Sequence, residues 1–353
     1  MSSHPCSGCN ADLAWSPGSG ELLCPYCGTT TTVGAGELPR QVVEYDLDAA
    51  LDSVPRGWGA EVVEFRCTLC AATSTVEPHV TATSCAFCGA SQLEVQPTDE
   101  DVIRPESLLP FSIEEKTAHK GFAGWVKSLW FRPNDLKRLV RLDGLKGVYI
   151  PAWTFDMKSK TDWEAEAGYY YYVEVPTGDG KTRRERRTRW EWRKGNVRLQ
   201  FDDWMVNASG GVSEELFHGI LPYDTSNLVP YDTRYLAGFI AERYQRDLHD
   251  AWDVGSAGMV ARIHNAVIND IPGDTYRNLS TDIQTWDETF KHCLVPVWIS
   301  AYRYKGKTFH YVVNGVTGKR DGTAPYSWVK ITLAVLAASA LFAAFYFYVT
   351  EYS

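Results

Sequence analysis

Chemistry in this chain begins with cysteine. Eight of its nine cysteines form two copies of one pattern, Cys6-x2-Cys9 with Cys24-x2-Cys27, and Cys67-x2-Cys70 with Cys85-x2-Cys88. Fourteen residues separate the two pairs in each copy, and every cysteine of the second copy stands 61 positions after its counterpart. A CxxC pair on a tight turn offers two thiolates to one cation. Two such turns complete the tetrahedron of a closed structural Zn²⁺ site. Gly28 and Gly89 follow the last cysteine of each copy, where such a turn favours positive φ. The pattern therefore predicts tandem zinc ribbons with two Zn²⁺ per chain. A disulfide framework would need an oxidising compartment, and a redox CxxC needs no second pair fourteen residues away. His4 and His79 are surplus to four sulfurs and read as surface residues. With four protein ligands no coordination position is left for water, so catalytic zinc is not expected.

Other candidate chemistry is sparse. Asp202-Asp203 and Asp282 with Asp287 offer carboxylates, but the sequence supplies no companion base or open metal site. His292 and Cys293 are adjacent, so on a strand they point to opposite faces, and Cys293 reads as a buried free thiol. Gly180-Lys181-Thr182 resembles the end of a nucleotide-binding loop, yet the required first glycine would fall at Val175, and a basic run replaces the helix. A glycine-rich turn explains residues 176–180 as well, and no enzymatic activity is expected. The most charged stretch is KTRRERRTRWEWRK, 181–194, with eight basic and two acidic residues, a local +6 in a chain of −9. Lys181, Arg183, Arg184, Arg186, Arg187, Arg189, Arg193 and Lys194 are interleaved there with Trp190 and Trp192. Three readings stay open: a solvated strand edge guarded by charge, contact with anionic lipid or a partner, or single-stranded nucleic-acid binding through phosphates and stacking.

These groups need elements to hold them. At 353 residues the chain has room for one domain with a real core beside smaller units. The net charge argues against a surface that coats nucleic acid generally. Thirteen Trp, nineteen Tyr and fourteen Phe favour β-rich packing. The expected organisation is a first ribbon at 1–38, a linker at 39–60, a second ribbon at 61–98, and an aromatic-rich, strand-dominated α+β domain at 99–326. In that domain Ser112 and Glu115 form a capping-box pattern ahead of a helix with Ala118, Phe122, Trp125 and Leu129 on one face. A shorter helix is expected from Pro133 to about Arg141. Separate strands follow at VYIPAWTFDMKS, YYYYVEV, TRWEW and NVRLQF. A further strand lies within 231–248, and Val260, Ile263, Val267 and Ile271 restore helical spacing. A β-meander closes the domain with turns at Lys305-Gly306 and Asn314-Gly315.

Residues 331–349, ITLAVLAASALFAAFYFYV, are uncharged over nineteen positions, a length that crosses a ~30 Å hydrocarbon core as a helix. Trp328, Tyr346 and Tyr348 sit where interfacial rings belong. A transmembrane helix is therefore expected over 327–350, followed by a tail at 351–353. Lys319, Arg320 and Lys330 precede the span, so the positive-inside bias predicts a cytoplasmic N-terminal bulk at the inner membrane and a short tail outside. Residues 1–30 lack the basic and apolar regions of a signal peptide.

GVYIPAWTFD (147–156), FDDWMVNAS (201–209), LVPYDTRYLAGFIAERY (228–244) and LVPVWISAYRYKGKTFHYVVNGVTGKRDGTAPYS (294–327) form an ordered series. With the ribbons and the span, the series resembles a bacterial family of zinc-ribbon, single-pass membrane proteins, often labelled primosomal protein N′ (replication factor Y) or TFIIB-type zinc-ribbon proteins. The resemblance covers roughly residues 67–349. It implies association with phage-shock-protein-A-like and SPFH-type membrane-stress proteins. Members of that family often have a single ribbon-like region, so the duplication here is a departure. The leading expectation is a non-enzymatic, tail-anchored adaptor in membrane stress. The alternative is a membrane-tethered, nucleic-acid-binding protein using the ribbons and 181–194.

Overall fold

The computed structural model describes residues 4–33, 41–47, 54–76, 83–133, 144–177, 181–305 and 307–352. It is a strand-dominated α+β structure with two cysteine quartets near the N-terminus and a long apolar helix at the C-terminus. Strands β1 (Ala14–Ser16), β2 (Glu21–Leu23) and β3 (Thr30–Thr31) form a small antiparallel sheet around the first quartet. The remaining strands belong to one sheet. They begin with β4 (Tyr45–Asp46), β5 (Val63–Cys67), β6 (Thr73–Val76), β7 (Leu93–Gln96) and β8 (Ser107–Leu108). Helix α1 (Glu115–Ser128) precedes the two longest neighbours, β9 (Lys146–Thr177) and β10 (Lys181–Asn207). Then come α2 (Glu214–Ile220), β11 (Val229–Pro230), β12 (Ile240–Glu242) and α3 (Leu248–Asp270). The chain ends with β13 (Thr275–Tyr304), β14 (Lys307–Asn314), β15 (Arg320–Gly322) and α4 (Trp328–Tyr352).

The organising element is an antiparallel ribbon, β10–β9–β13, rather than a set of separate short strands. The segments expected as VYIPAWTFDMKS and YYYYVEV are one 32-residue strand, and TRWEW and NVRLQF lie in one 27-residue strand. Their side-chain pattern explains how one strand serves different surroundings. Residues 148–150, 152, 153 and 155 are buried on both faces, so the base reads as a continuous apolar run. Farther along, Met157, Ser159, Thr161, Trp163, Ala165 and Ala167 are buried, while the alternate residues Lys158, Lys160, Asp162, Glu164 and Glu166 are not. The buried face lies under α3, whose Leu248, Ala251, Gly255, Met259, Ile263 and Val267 recur at helical spacing. Gly255 permits the close approach: a Cβ there would stand 3.0 Å from the Phe155 ring and 3.2 Å from Val206.

Several expectations resolve differently. Helix α1 carries the apolar face, with Ala118, Phe122 and Trp125 buried, but Ser112 does not cap it. The N-cap is Glu114, without a side-chain capping bond, and the Ser112 hydroxyl donates to the Pro110 carbonyl at 3.4 Å. The helix expected up to Arg141 and the turn at 178–180 fall outside the described residues, as does His79. The closing meander is present as β13–β14–β15.

Both quartets are integrated with this body. Trp15, Leu13 and Leu22 join a cluster with Phe111, Tyr149 and Trp298. Phe87 and Ala86 join Val148, Ile150 and Val295. Strand β12 pairs parallel with β9 and antiparallel with β6, so the sheet of the second quartet is continuous with the ribbon.

Candidate metal centres

Four turns of the same construction hold the eight sulfurs. After each CxxC pair the next residue adopts positive φ: Asn10 at 60°, Gly28 at 75°, Ala71 at 61° and Gly89 at 72°. Each of those residues donates its N–H back to the first cysteine's carbonyl, at 2.9, 3.0, 2.9 and 3.1 Å respectively. The glycines Gly28 and Gly89 were readable from sequence as left-handed positions; Asn10 and Ala71 adopt the same conformation without glycine's freedom.

The turns bring their sulfurs together in pairs. Cys6 and Cys27 Sγ atoms are 3.5 Å apart, as are those of Cys9 and Cys24. Cys67–Cys88 and Cys70–Cys85 are each 3.6 Å apart. Within each quartet all four sulfurs lie within 4.8 Å of one another. A tetrahedron with ~2.3 Å metal–sulfur bonds has edges of about 3.8 Å, so the donor set fits a four-coordinate ion. Each quartet can therefore hold one metal ion.

The surroundings favour thiolate at Cys6, Cys27 and Cys85 and oppose it at Cys9, Cys70 and Cys88. The Gly8 N–H donates to Cys6 Sγ at 3.3 Å, and that thiol is held below its ordinary range. The Thr29 hydroxyl, 3.1 Å from Cys27 Sγ, is the main reason that thiol falls to about 6. In the second quartet the Cys70 contact draws Cys85 down to about 5, and the same contact pushes Cys70 upward. Sulfurs this close do not all ionise without a cation between them. Lys146 stands beside Cys85 and Cys88, tied at 3.0 Å to the Ser84 carbonyl and at 2.6 Å to its hydroxyl. Thr29, Ser84 and Lys146 were not readable as supporting residues, because only the folded turns bring them to the sulfurs.

The other candidate residues are distributed as follows. His292 and Cys293 occupy β13 and enter different surroundings: His292 packs on Trp153 and Tyr244, while Cys293 donates to the Ala152 carbonyl at 3.4 Å. Burial holds His292 down to about 4 and lifts Cys293 to about 12. Asp203, which lacked a companion in sequence, acquires two, Asp156 and Lys291. Its N–H donates to Asp156 at 2.6 Å, and its carboxylate is 2.6 Å from Lys291, which also meets Glu44 at 2.8 Å. Burial raises Asp156 to about 6. Bulges at Asp203 and Asp287 flank this level on both sides of β9. The first turns Asp203 inward to Lys291, whereas Asp287 stays exposed and meets Lys158 at 2.8 Å.

Residues 181–194 run along β10 opposite the tyrosines of β9. The odd positions pair with one another, two arginines to each glutamate: Arg183 and Arg187 lie 4.0 and 3.6 Å from Glu185, and Arg189 and Arg193 pair with Glu191. On the even face Arg184 lies over Tyr172 at 4.4 Å, Arg186 over Tyr170 at 4.3 Å, and Arg277 over Trp190 at 4.1 Å. Trp192 is 64% exposed. The C-terminal helix starts at the other end of the ribbon, where Tyr302 donates to Thr323 at 2.7 Å and Ser327 to Phe131 at 2.8 Å. About 90 Å of strand path, at ~3.3 Å per residue, separates Tyr302 from Thr275, beyond which the basic hairpin continues.

Helix α4 contains a span candidate, Trp328–Glu351, with mean hydropathy 2.0 and none of its apolar window buried. Among known proteins, a relative from Bacillus subtilis (strain 168), described as the uncharacterized protein YdjG, is 26% identical over 340 residues, covering 93% of this chain and 92% of its own length. No family model matches the chain, and no solved structure matches it.

Proposed function

We propose that this chain is a zinc-dependent, tail-anchored adaptor that recruits protein partners to the cytoplasmic face of the inner membrane. The observation that carries this reading is the joining of two closed four-sulfur centres to one body that ends in an apolar, unpacked helix. Zinc is the ion of choice for four thiolates in a tetrahedron, and a site with four protein ligands stabilises a surface without doing chemistry. Each centre presents an apolar side chain from within a CxxC turn: Tyr26 is 82% exposed and Leu69 59% exposed. Fixing such surfaces to a bilayer raises their effective concentration for a membrane-associated partner.

The resemblance to zinc-ribbon membrane proteins supports the choice of the proposed partner: a phage-shock-protein-A-like coat or an SPFH-type scaffold. The test is a native membrane pull-down read by mass spectrometry, comparing the natural chain with Tyr26→Ala/Leu69→Ala. Depletion of such a partner in the variant supports the adaptor. Recovery of replication proteins, with no coat or scaffold in either sample, replaces it with the nucleic-acid reading.

A further inference from the structure

The ribbon narrows at Gly168. There β13 begins, with Thr275 opposite Gly168, while β9 and β10 continue as a two-stranded arm. Trp190 crosses at this level, and a Cβ on Gly168 would stand 2.8 Å from its ring. Beyond it, among the described residues, no strand covers the second edge of β9. The last groups satisfied on that edge are local: Asp274 N–H donates to the Gly168 carbonyl at 2.8 Å, and the Asp274 carboxylate accepts from Tyr170 N–H at 2.7 Å. By the two-residue repeat of a strand, the backbone groups of Tyr172 and Glu174 face the same open edge. Edges of this kind are templates for strand addition.

The side chains above that edge specify what it accepts. Arg184 and Arg186 stack on Tyr172 and Tyr170, so their guanidinium groups lean across β9 toward the open side. Among the described residues neither makes an ion pair, whereas the four odd-face arginines share Glu185 and Glu191. Stacking fixes each guanidinium plane and leaves its N–H edge for an oxyanion. Two residues of strand separate the pair, about 7 Å, which equals the spacing of alternate side chains on an added strand. The outer edge of β10 is also uncovered among the described residues, but the guanidinium groups lean away from it.

We propose that the edge of β9 from Tyr170 to Pro176 receives an extended, acidic segment of a partner protein, whose alternate carboxylates meet Arg184 and Arg186. A protein segment fits better than a nucleic-acid strand for a reason of charge. Glu174 lies opposite Arg184, on the face that carries the two free arginines, whereas Glu166, where β13 still covers β9, is already paired with Arg277. A continuous run of phosphates along that face would meet the Glu174 carboxylate, whereas a peptide can place its acids only where the arginines stand. Arginine, tyrosine and tryptophan together, with lysine scarce, are also the residues enriched at protein interfaces. The site is distinct from the cysteine centres and does not depend on the adaptor reading.

The experiment uses the full chain in detergent micelles and a fluorescent Val- and Thr-rich peptide with two Glu at alternate positions (the Glu-Val peptide), followed by anisotropy. The Lys-Val control carries Lys at those two positions. Binding should weaken roughly tenfold or more in Arg184→Glu/Arg186→Glu. It should weaken also in Glu174→Pro, which removes an edge N–H but keeps both arginines and both tyrosines. A Lys-Val peptide should not bind, and both variants should retain the natural metal content as proof of folding. Absence of Glu-Val binding overturns the proposal. So does arginine-dependent binding that is indifferent to Glu174→Pro, since that is charge without strand addition. Tighter binding of oligothymidylate than of the Glu-Val peptide would overturn it in favour of nucleic acid.

Discussion

The indole N–H of Trp15 donates to the Phe111 carbonyl at 3.0 Å, and this bond ties the first cysteine quartet to the core of the body. Trp15 is buried, its ring meets Tyr235 at 4.8 Å, and its own N–H bonds the Ala237 carbonyl at 3.0 Å. Removing the ring leaves both a cavity and an unpaired carbonyl. Trp15→Ala should cost about 3–5 kcal/mol. Thermal melts and limited proteolysis between the first quartet and the body will check this; unchanged melting would mean that the first sheet is only loosely attached.

Purified chain should carry two Zn²⁺, one per quartet, by elemental analysis. Cys6→Ser/Cys9→Ser and Cys67→Ser/Cys70→Ser should each lose one ion. Their structural effects should differ. The second quartet borders β5 and β6, which reach β9 through β12, so its loss should lower the melting midpoint of the whole body more than loss of the first. Equal effects would contradict the sheet continuity described above.

His292 gives a pH dependence with a definite sign. Its Nδ1 is 2.8 Å from the Ile103 carbonyl, and burial holds the ring neutral to about 4, below the ordinary 6.5. Between those values the unfolded chain binds a proton that the folded chain refuses. This contribution is therefore complete above ~6.5 and is lost as pH falls toward about 4, a loss of roughly 3 kcal/mol at most. His292→Asn retains a donor without titrating. It should flatten the stability-versus-pH slope in that window relative to the natural chain, with metal release common to both. An unaltered slope would show that the group responsible is elsewhere.

At Gly255 two effects oppose. Alanine gains helix propensity of about 1 kcal/mol, but its Cβ meets Phe155 at 3.0 Å. Gly255→Val adds bulk that neither Phe155 nor Val206 can evade and should destabilise by about 1–3 kcal/mol. Denaturant melts should place Gly255→Val well below the natural chain and Gly255→Ala close to it, both with full metal content.

What could be read in advance follows the range of the interactions. The cysteine quartets were legible because metal spacing is local, and the two glycines mark their turns. Helix α4 was legible because an uncharged apolar run needs no partner to declare itself. The ribbon was not. Strand β9 changes from buried on both faces to alternating near Asp156, and again at Gly168, so one strand imitates several. Asp203 seemed companionless because its neighbours Asp156 and Lys291 are contributed by distant parts of the chain. The Ser112–Glu115 pattern satisfied a local rule, but tertiary packing starts the helix elsewhere: the Ser112 and Ile113 N–H groups are drawn to the Gly315 carbonyl at 2.9 and 2.8 Å.

The proposed membrane attachment by α4 has a simple consequence. Chain lacking residues 328–353 should leave the membrane fraction while retaining both metal ions, since the helix packs on the body only near its start. Retention of that truncated chain on membranes would assign the attachment to another surface.

The adaptor reading is tested most directly by imaging a fluorescent phage-shock-protein-A-like or SPFH-type partner in living cells. The account expects membrane foci with the natural chain, and dispersal of the partner both in Cys67→Ser/Cys70→Ser and on deletion of 328–353. Foci that persist when the whole chain is absent would contradict it.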